Sequence, residues 1–189
     1  MQVEAPKQRL FLALLPPPAI QAQVTAIQRQ VAEQFASQAA LRSPPHITLV
    51  PPFEWPSSDL PILTGSLQAL AEQQIPIQVE LSGFGAFAPR VIYIHVVPSP
   101  ELQQLHAQVH QHLQPLLNPE GRASQDRPFV PHMTVAFRDL SPAQFRAAWP
   151  AFEIRPFQGS FTVSELTLLL HDRKRWQVFA QLPMQKGSK

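Results

Sequence analysis

Apolar residues along the chain follow two spacings, which predict alternating short strands and amphipathic helices. Between residues 18 and 40 they recur at steps of three and four and describe one face of a helix. Short apolar runs bounded by Pro, Gly and Ser predict strands at 10–15, 46–50, 75–81, 91–97, 132–137, 157–163, 165–170 and 176–182. Further helices are predicted at 58–74, 100–116 and 141–149, with loops at 82–90 and 118–128.

This order of elements occurs twice along the chain. Each copy reads strand, helix, strand, helix, strand, and the two copies are offset by about 86 residues. The segment Arg9-Leu-Phe-Leu-Ala-Leu in the first copy resembles Arg90-Val-Ile-Tyr-Ile-His in the second. We therefore predict one domain over 1–189, built from pseudo-repeat halves at about 8–89 and 90–182.

Composition narrows the class of protein. A chain of 189 residues suits one domain with a substantial core. It has no cysteine, which excludes disulfides, thiolate zinc sites and a cysteine nucleophile. The formal net charge of +2 is too small for an extended footprint on a duplex, so we expect no DNA partner.

No segment has the character of a membrane or export signal. The apolar run at 10–15 is shorter than the roughly 7–15 residues of a signal-peptide core and ends in prolines. No run reaches the roughly 18–20 apolar residues of a membrane helix. We expect a cytoplasmic monomer that does not bind a membrane, in agreement with the absence of cysteine.

One short motif occurs in both copies. Pro45-His46-Ile47-Thr48-Leu49 corresponds to Pro131-His132-Met133-Thr134-Val135. From the numbers of His and Thr in the chain, Thr would follow His by two positions about 0.2 times by chance. The motif occurs twice, each time after Pro and with apolar residues interleaved, so coincidence is a poor explanation. Two partly buried histidines with a purely structural role, hydrogen-bonded to neighbouring hydroxyls, would not explain the repetition either.

The spacing places the polar residues of each motif on one face of a strand. Alternate side chains of a strand share a face, so His46 lies with Thr48 and His132 lies with Thr134. If the two halves face each other, two imidazoles and two hydroxyls meet. One imidazole can accept a proton and the other can donate one, while the hydroxyls bind phosphate oxygens. Such a site needs neither a metal ion nor a cofactor.

At these residues the sequence resembles the 2H phosphoesterase superfamily, in particular bacterial 2′-5′ RNA ligase-like proteins and RNA 2′,3′-cyclic phosphodiesterases. The resemblance covers nearly the whole chain. It implies a bilobal α+β fold with pseudo-twofold symmetry, in which each lobe is a mostly antiparallel sheet with helices outside and a catalytic groove lies between the lobes. It also implies hydrolysis of a 2′,3′-cyclic phosphate, on an RNA terminus or a nucleotide, to a 2′-phosphate. Some members catalyse reversible 2′-5′ ligation.

The resemblance assigns roles to the motif residues. It implies that His46 and His132 are catalytic and that Thr48 and Thr134 bind substrate. It favours His132 as the base that activates water and His46 as the acid that protonates the leaving oxygen.

One position departs from the family pattern. Several ligase-like members carry an arginine five residues after the second motif histidine. Here that position is Phe137, and Arg138 follows. One step along a strand reverses the face, so Arg138 binds substrate only if a turn brings it inward.

Two further residues are candidates for substrate binding. On the strand at 91–97, Tyr93 and His95 alternate with apolar residues and are expected to face the groove. There they could stack on a base or contact ribose. A plain polar sheet face is an equally good interpretation.

Other interpretations remain open. His106 and His110 lie four residues apart on a predicted helix and could share a metal, although a solvated face of Gln and His is favoured. The motifs are also compatible with a cyclic phosphodiesterase for a small metabolite such as an ADP-ribose cyclic phosphate. A non-catalytic RNA- or nucleotide-binding module and a metal-dependent hydrolase are the remaining alternatives.

Overall fold

A computed structural model describes residues 6–117 and 128–185 as an antiparallel sheet of eight strands with four α-helices. The strands are β1 Lys7–Leu14, β2 Ile47–Pro56, β3 Ile77–Phe87, β4 Val91–Val96, β5 His132–Ala136, β6 Gln158–Val163, β7 Glu165–His171 and β8 Trp176–Pro183. The helices are α1 Pro18–Phe35, α2 Leu60–Ala71, α3 Pro100–Leu117 and α4 Pro142–Glu153, with 3-10 helices at Ala39–Arg42 and Ser57–Asp59. Nearly all of the predicted loop at 118–128 lies outside the described residues.

The sheet consists of two groups of four strands that meet at its centre. The strand order is β6-β3-β4-β5-β2-β1-β7-β8, and each pair of neighbours is antiparallel. β2 and β5 pair only through Ile47 and Met133. We call β2, β1, β7 and β8 the first lobe, and β5, β4, β3 and β6 the second. The predicted α+β architecture is confirmed.

The lobes are interlaced and do not correspond to contiguous stretches of sequence. The elements run in the order β1-α1-β2-α2-β3 and then β4-α3-β5-α4-β6. β3 nevertheless pairs with β4 in the second lobe, and β7 pairs with β1 in the first. The predicted boundary near residue 89 lies between the two halves of the sequence, but each lobe of the sheet contains strands from both sides of it.

The helices also cross between the lobes. α1, which precedes β2 in the chain, packs on β5, whereas α3, which precedes β5, packs on β2. The predicted apolar face of α1 is buried at Ile20, Val24, Ile27 and Val31. Each motif strand is thus covered by the helix that comes before the other motif strand, which holds the two lobes together. No helix in the described part of the chain is both long and apolar enough to span a membrane.

Three predicted boundaries are wrong for identifiable reasons. The predicted loop at 82–90 is mostly strand: β3 continues to Phe87 through a register shift at Gly83, whose φ of +66° suits glycine. β2 continues through Pro51 and Pro52 because they lie at a register irregularity opposite β1. α1 ends at Phe35, since Ala36 adopts a left-handed conformation before the 3-10 helix.

Gly85 on β3 is expected to be essential for packing. A Cβ atom there would lie 2.5 Å from Cε2 of Tyr93, so Gly85→Ala should lower the free energy of unfolding by about 1–3 kcal/mol. The control is Gly65→Ala in α2, where a Cβ meets nothing within 4 Å. That change should raise the free energy of unfolding by about 0.5–1 kcal/mol. Urea denaturation measures both, and equal stability of the two variants would contradict the described packing.

Candidate active site

A cavity of about 320 Å³ is lined by the motif residues of both lobes. The four side chains predicted from the sequence, His46, Thr48, His132 and Thr134, all line it. All four are half-buried, whereas Ile47, Leu49, Met133 and Val135 between them are buried. The alternation of faces in the two motifs is therefore as predicted, and the two motifs share one cavity.

The contact between the lobes determines how the motifs oppose each other. Ile47 pairs with Met133 in an antiparallel register, which places His46 across from Thr134 and Thr48 across from His132. The two histidines lie on opposite sides of this junction and line the same cavity.

Both imidazoles are held in the same way. Nδ1 of His46 lies 2.7 Å from the carbonyl oxygen of Pro44, and Nδ1 of His132 lies 2.7 Å from that of Val130. A carbonyl can only accept a hydrogen bond, so each Nδ1 carries the proton and donates it. In the neutral rings Nε2 is then the free basic atom. Pro45 and Pro131, which directly precede the histidines, take no part in these hydrogen bonds, because the acceptor carbonyls lie two residues before each histidine.

Burial makes both rings poor bases in the empty cavity. Desolvation lowers the pKa of His46 from 6.5 to about 4, opposed by its hydrogen bond to Pro44, and the nearby His132 lowers it further. Desolvation also lowers the pKa of His132, opposed by its hydrogen bond to Val130. Both rings are therefore neutral at neutral pH in the empty cavity. A phosphate anion between them would raise both pKa values and favour protonation of one ring.

Aromatic side chains supply much of this apolar environment. The ring centroid of Phe11 lies 4.8 Å from that of His46, and Trp176 packs edge-on against Phe11 at 4.6 Å. On the other side, His132 contacts Phe87 at 5.1 Å and Tyr93 at 5.2 Å. Each histidine thus has aromatic support from its own lobe.

Tyr93 and His95 lie beside the second motif on the predicted face. β4 pairs Tyr93 with Thr134 and His95 with His132, so both share the face of the motif residues. Tyr93 is buried against the His132 ring, and neither residue lines the cavity. In this arrangement Tyr93 supports His132, and contact of either residue with substrate stays a prediction.

A turn brings Arg138 into the cavity wall. Arg138 has a φ of +64°, in the left-handed region, and it lines the cavity together with Phe137. The expected reversal of face between positions 137 and 138 does not keep Arg138 out of the cavity, because β5 ends at Ala136 and both residues line it.

Several lining residues were not predicted from the sequence. Arg9 lines the cavity with its guanidinium 5.6 Å from the Trp176 ring, and Arg42 lines it from the 3-10 helix. Gln28 on α1 also lines it and donates to the carbonyl of Thr134 at 3.1 Å. No carboxylate among the described residues lines the cavity, so it is electropositive. The one sequence feature that pointed to any of these residues was the match of Arg9 in the first copy with Arg90 in the second.

The three histidines of α3 each contact other protein groups, so they do not form the fully solvated face that the sequence favoured. His106 stacks on Phe129 at 3.8 Å, and Nε2 of His110 lies 2.9 Å from the carbonyl oxygen of Leu49. His112 hydrogen-bonds the Ser66 hydroxyl at 2.8 Å. Within residues 6–117 and 128–185 no three potential metal ligands come together.

The fold is α+β, and its cavity is lined by one histidine from each motif. The sequence profile of the 2′-5′ RNA ligase superfamily matches residues 16–175. The chain belongs to this superfamily of 2H phosphoesterases.

Relatives agree with this membership. A Bacillus cytotoxicus protein, provisionally named a phosphoesterase, is 29% identical over 96% of this chain and 99% of its own. A Geobacillus kaustophilus protein with the same provisional name is 30% identical over 72% and 76% of the two chains. The Escherichia coli LigT structure complexed with 3′-AMP superposes with a TM-score of 0.67 at 25% identity, covering 96% of this chain and all (100%) of LigT. A Thermus thermophilus structure has the same fold, with a TM-score of 0.69 at 24% identity over 95% and 100% of the chains.

The lowered pKa values predict an acidic pH optimum. Catalysis by one neutral and one protonated imidazole gives a bell-shaped profile of kcat/KM, which reports the pKa values of the free enzyme. The rate should fall as pH rises through the lowered pKa of His132, because the remaining proton is lost. It should also fall as pH drops toward 4, where His46 becomes protonated. Steady-state kinetics should place the maximum below 6.5, and a maximum in the alkaline range would contradict catalysis by these two buried rings.

Proposed function

We propose that this protein hydrolyses 2′,3′-cyclic phosphates, at an RNA 3′ end or on a nucleotide, to 2′-phosphates without a metal ion or cofactor. Membership of the superfamily gives the coarser class, a phosphoesterase, and it supports RNA or nucleotides as the substrates proposed here. One observation carries the finer proposal. His46 and His132 are each fixed through Nδ1 by a backbone carbonyl and line one cavity with two threonine hydroxyls.

The residues provide each proton transfer that hydrolysis needs. A neutral imidazole takes a proton from water at Nε2, and the water oxygen forms a new bond to phosphorus. The bond from phosphorus to the 3′ oxygen breaks, and the protonated imidazole donates its Nε2 proton to that oxygen. The products are a 2′-phosphate and a free 3′-hydroxyl. Thr48 and Thr134 donate to the non-bridging oxygens, where negative charge develops.

Two assignments of acid and base follow from different observations. The resemblance favours His132 as base and His46 as acid. Burial favours the reverse, because desolvation lowers the pKa of His46 to about 4 and makes it the ring that stays neutral. A single proton shared between the rings then resides on His132, which would act as the acid.

The relatives support a nucleotide ligand. Structures of LigT were solved in complex with 3′-AMP, ATP and NADP+. All three ligands place phosphate next to ribose. The electropositive cavity here, with Arg9, Arg42 and Arg138 in its lining, suits ligands of that chemistry.

Other reactions would use the same residues. Reversible 2′-5′ ligation replaces water with a 5′-hydroxyl and requires no further proton carrier. A cyclic phosphate on a small metabolite such as ADP-ribose presents the same phosphorus. Turnover of a panel of cyclic phosphates in chelator, with identification of the monophosphate isomer formed, separates these substrates from one another and from a non-catalytic binding module.

Loss of either motif histidine should abolish most turnover. His46→Ala and His132→Ala should each lower kcat on a 2′,3′-cyclic nucleotide by about 10²–10⁴-fold, because each removes one proton transfer. The matched control is His112→Ala, which removes only a hydrogen bond to Ser66 outside the cavity and should turn over near the wild-type rate. Near-wild-type turnover by either motif variant, or activity that chelator abolishes and a divalent ion restores, would disprove the mechanism.

A substrate with a good leaving group should identify the acid. A p-nitrophenolate leaves without protonation, so the variant that lacks the acid should keep a larger share of activity on a nucleoside p-nitrophenyl phosphate than on the cyclic substrate. If burial determines the roles, His132→Ala is that variant. A larger retained share in His46→Ala would support the assignment implied by the resemblance.

A further inference from the structure

We propose that Arg42 and Arg138 form a second anion subsite in the cavity, which binds a phosphate group other than the one that is cleaved. The ligand class is a nucleotide, or an RNA end, that carries a further phosphate ester near the ribose with the cyclic phosphate. This inference rests on the proposed function, because it assumes that the scissile phosphate lies between His46 and His132.

The two arginines lie on neighbouring segments that one carboxylate joins. Arg42 is the last residue of the 3-10 helix Ala39–Arg42, and Arg138 follows the end of β5. The next residue, Asp139, accepts hydrogen bonds from the Ser37 hydroxyl at 2.7 Å and from two backbone N–H groups of the segment that leads into the 3-10 helix. These are the N–H groups of Gln38 at 2.8 Å and Ala39 at 3.0 Å. The segments that carry Arg42 and Arg138 are thereby held side by side.

The same hydrogen bonds occupy the nearest carboxylate. Both oxygens of Asp139 accept hydrogen bonds from Ser37, Gln38 and Ala39, and Asp139 does not line the cavity. Among the described residues the cavity lining contains no carboxylate that could neutralise Arg42 and Arg138. Arg42 and Arg138 both line this cavity, so an anion there can accept charge-assisted hydrogen bonds from both side chains.

The backbone at Arg138 is strained in the orientation that the subsite needs. A φ of +64° is unusual for a residue with a long side chain and costs free energy. The hydrogen bonds of Asp139, including that of its own N–H to the Phe137 carbonyl at 2.8 Å, hold the turn in place.

The subsite is separate from the centre of the cavity and from Arg9. The scissile phosphate already has donors in the two imidazoles and two hydroxyls. Arg9 lies four residues along β1 from Ala13, the partner of Thr48, a distance of roughly 13 Å along the strand. Arg42 lies in the 3-10 helix that precedes the start of β2, whereas Arg9 pairs with Glu54 near the end of β2. The cavity thus has arginine at both ends, and the paired arginines lie at one of them.

Binding of two product-like nucleotides tests the subsite without relying on turnover. Isothermal titration should show that wild-type protein binds adenosine 2′,5′-bisphosphate about 10-fold or more tightly than adenosine 2′-monophosphate. Arg42→Gln and Arg138→Gln should each reduce this ratio toward one, and Arg42→Lys should keep part of it because the charge remains without the bidentate fork. The matched control, Arg146→Gln on the exposed face of α4, should keep the full ratio.

Equal affinity of the wild-type protein for the two nucleotides would overturn the subsite, as would a full ratio in both Arg42→Gln and Arg138→Gln. Turnover of a 2′,3′-cyclic nucleotide is measured in parallel. Protein that turns over the cyclic nucleotide but shows no preference for the bisphosphate refutes the subsite alone. Protein that prefers the bisphosphate but turns over no cyclic phosphate refutes the proposed function and retains the subsite.

Discussion

The pairing of β2 with β5 through Ile47 and Met133 joins the two lobes at the centre of the sheet. Because this pair lies between His and Thr in both motifs, it brings the two motifs together at one cavity. The contact is short, and the exchange of α1 and α3 across the lobes supports it. The geometry of the cavity therefore depends on one cross-strand register that long-range packing maintains.

The environment of the histidines follows from the same packing. Aromatic rings from each lobe bury His46 and His132, and burial lowers both pKa values below the ordinary range. The lining contains arginines and no carboxylate of the described residues. Such a cavity favours an anion, and the anion in turn favours the protonated imidazole that acid catalysis needs. Ligand binding and preparation of the catalytic protons are thus coupled.

The sequence was sufficient for the features that depend on local periodicity. Alternation placed His46 with Thr48 and His132 with Thr134 on one strand face each, and the duplication predicted that the two pairs converge. Arg42 and Trp176 could not be found in this way, because they enter the cavity through a 3-10 helix and a strand pairing distant in sequence. The turn at Arg138 and the bulge at Gly83 depend on backbone conformations that a hydrophobic pattern does not encode.

The central claim is that two histidines from different motifs act on one phosphate. Nuclear magnetic resonance titration of the His46 and His132 ring protons tests it directly, in the free protein and with a nucleoside 2′-phosphate bound. Both pKa values should lie below 6.5 in the free protein and both should rise when the nucleotide binds. A response from only one ring, or from neither, would contradict a shared phosphate site.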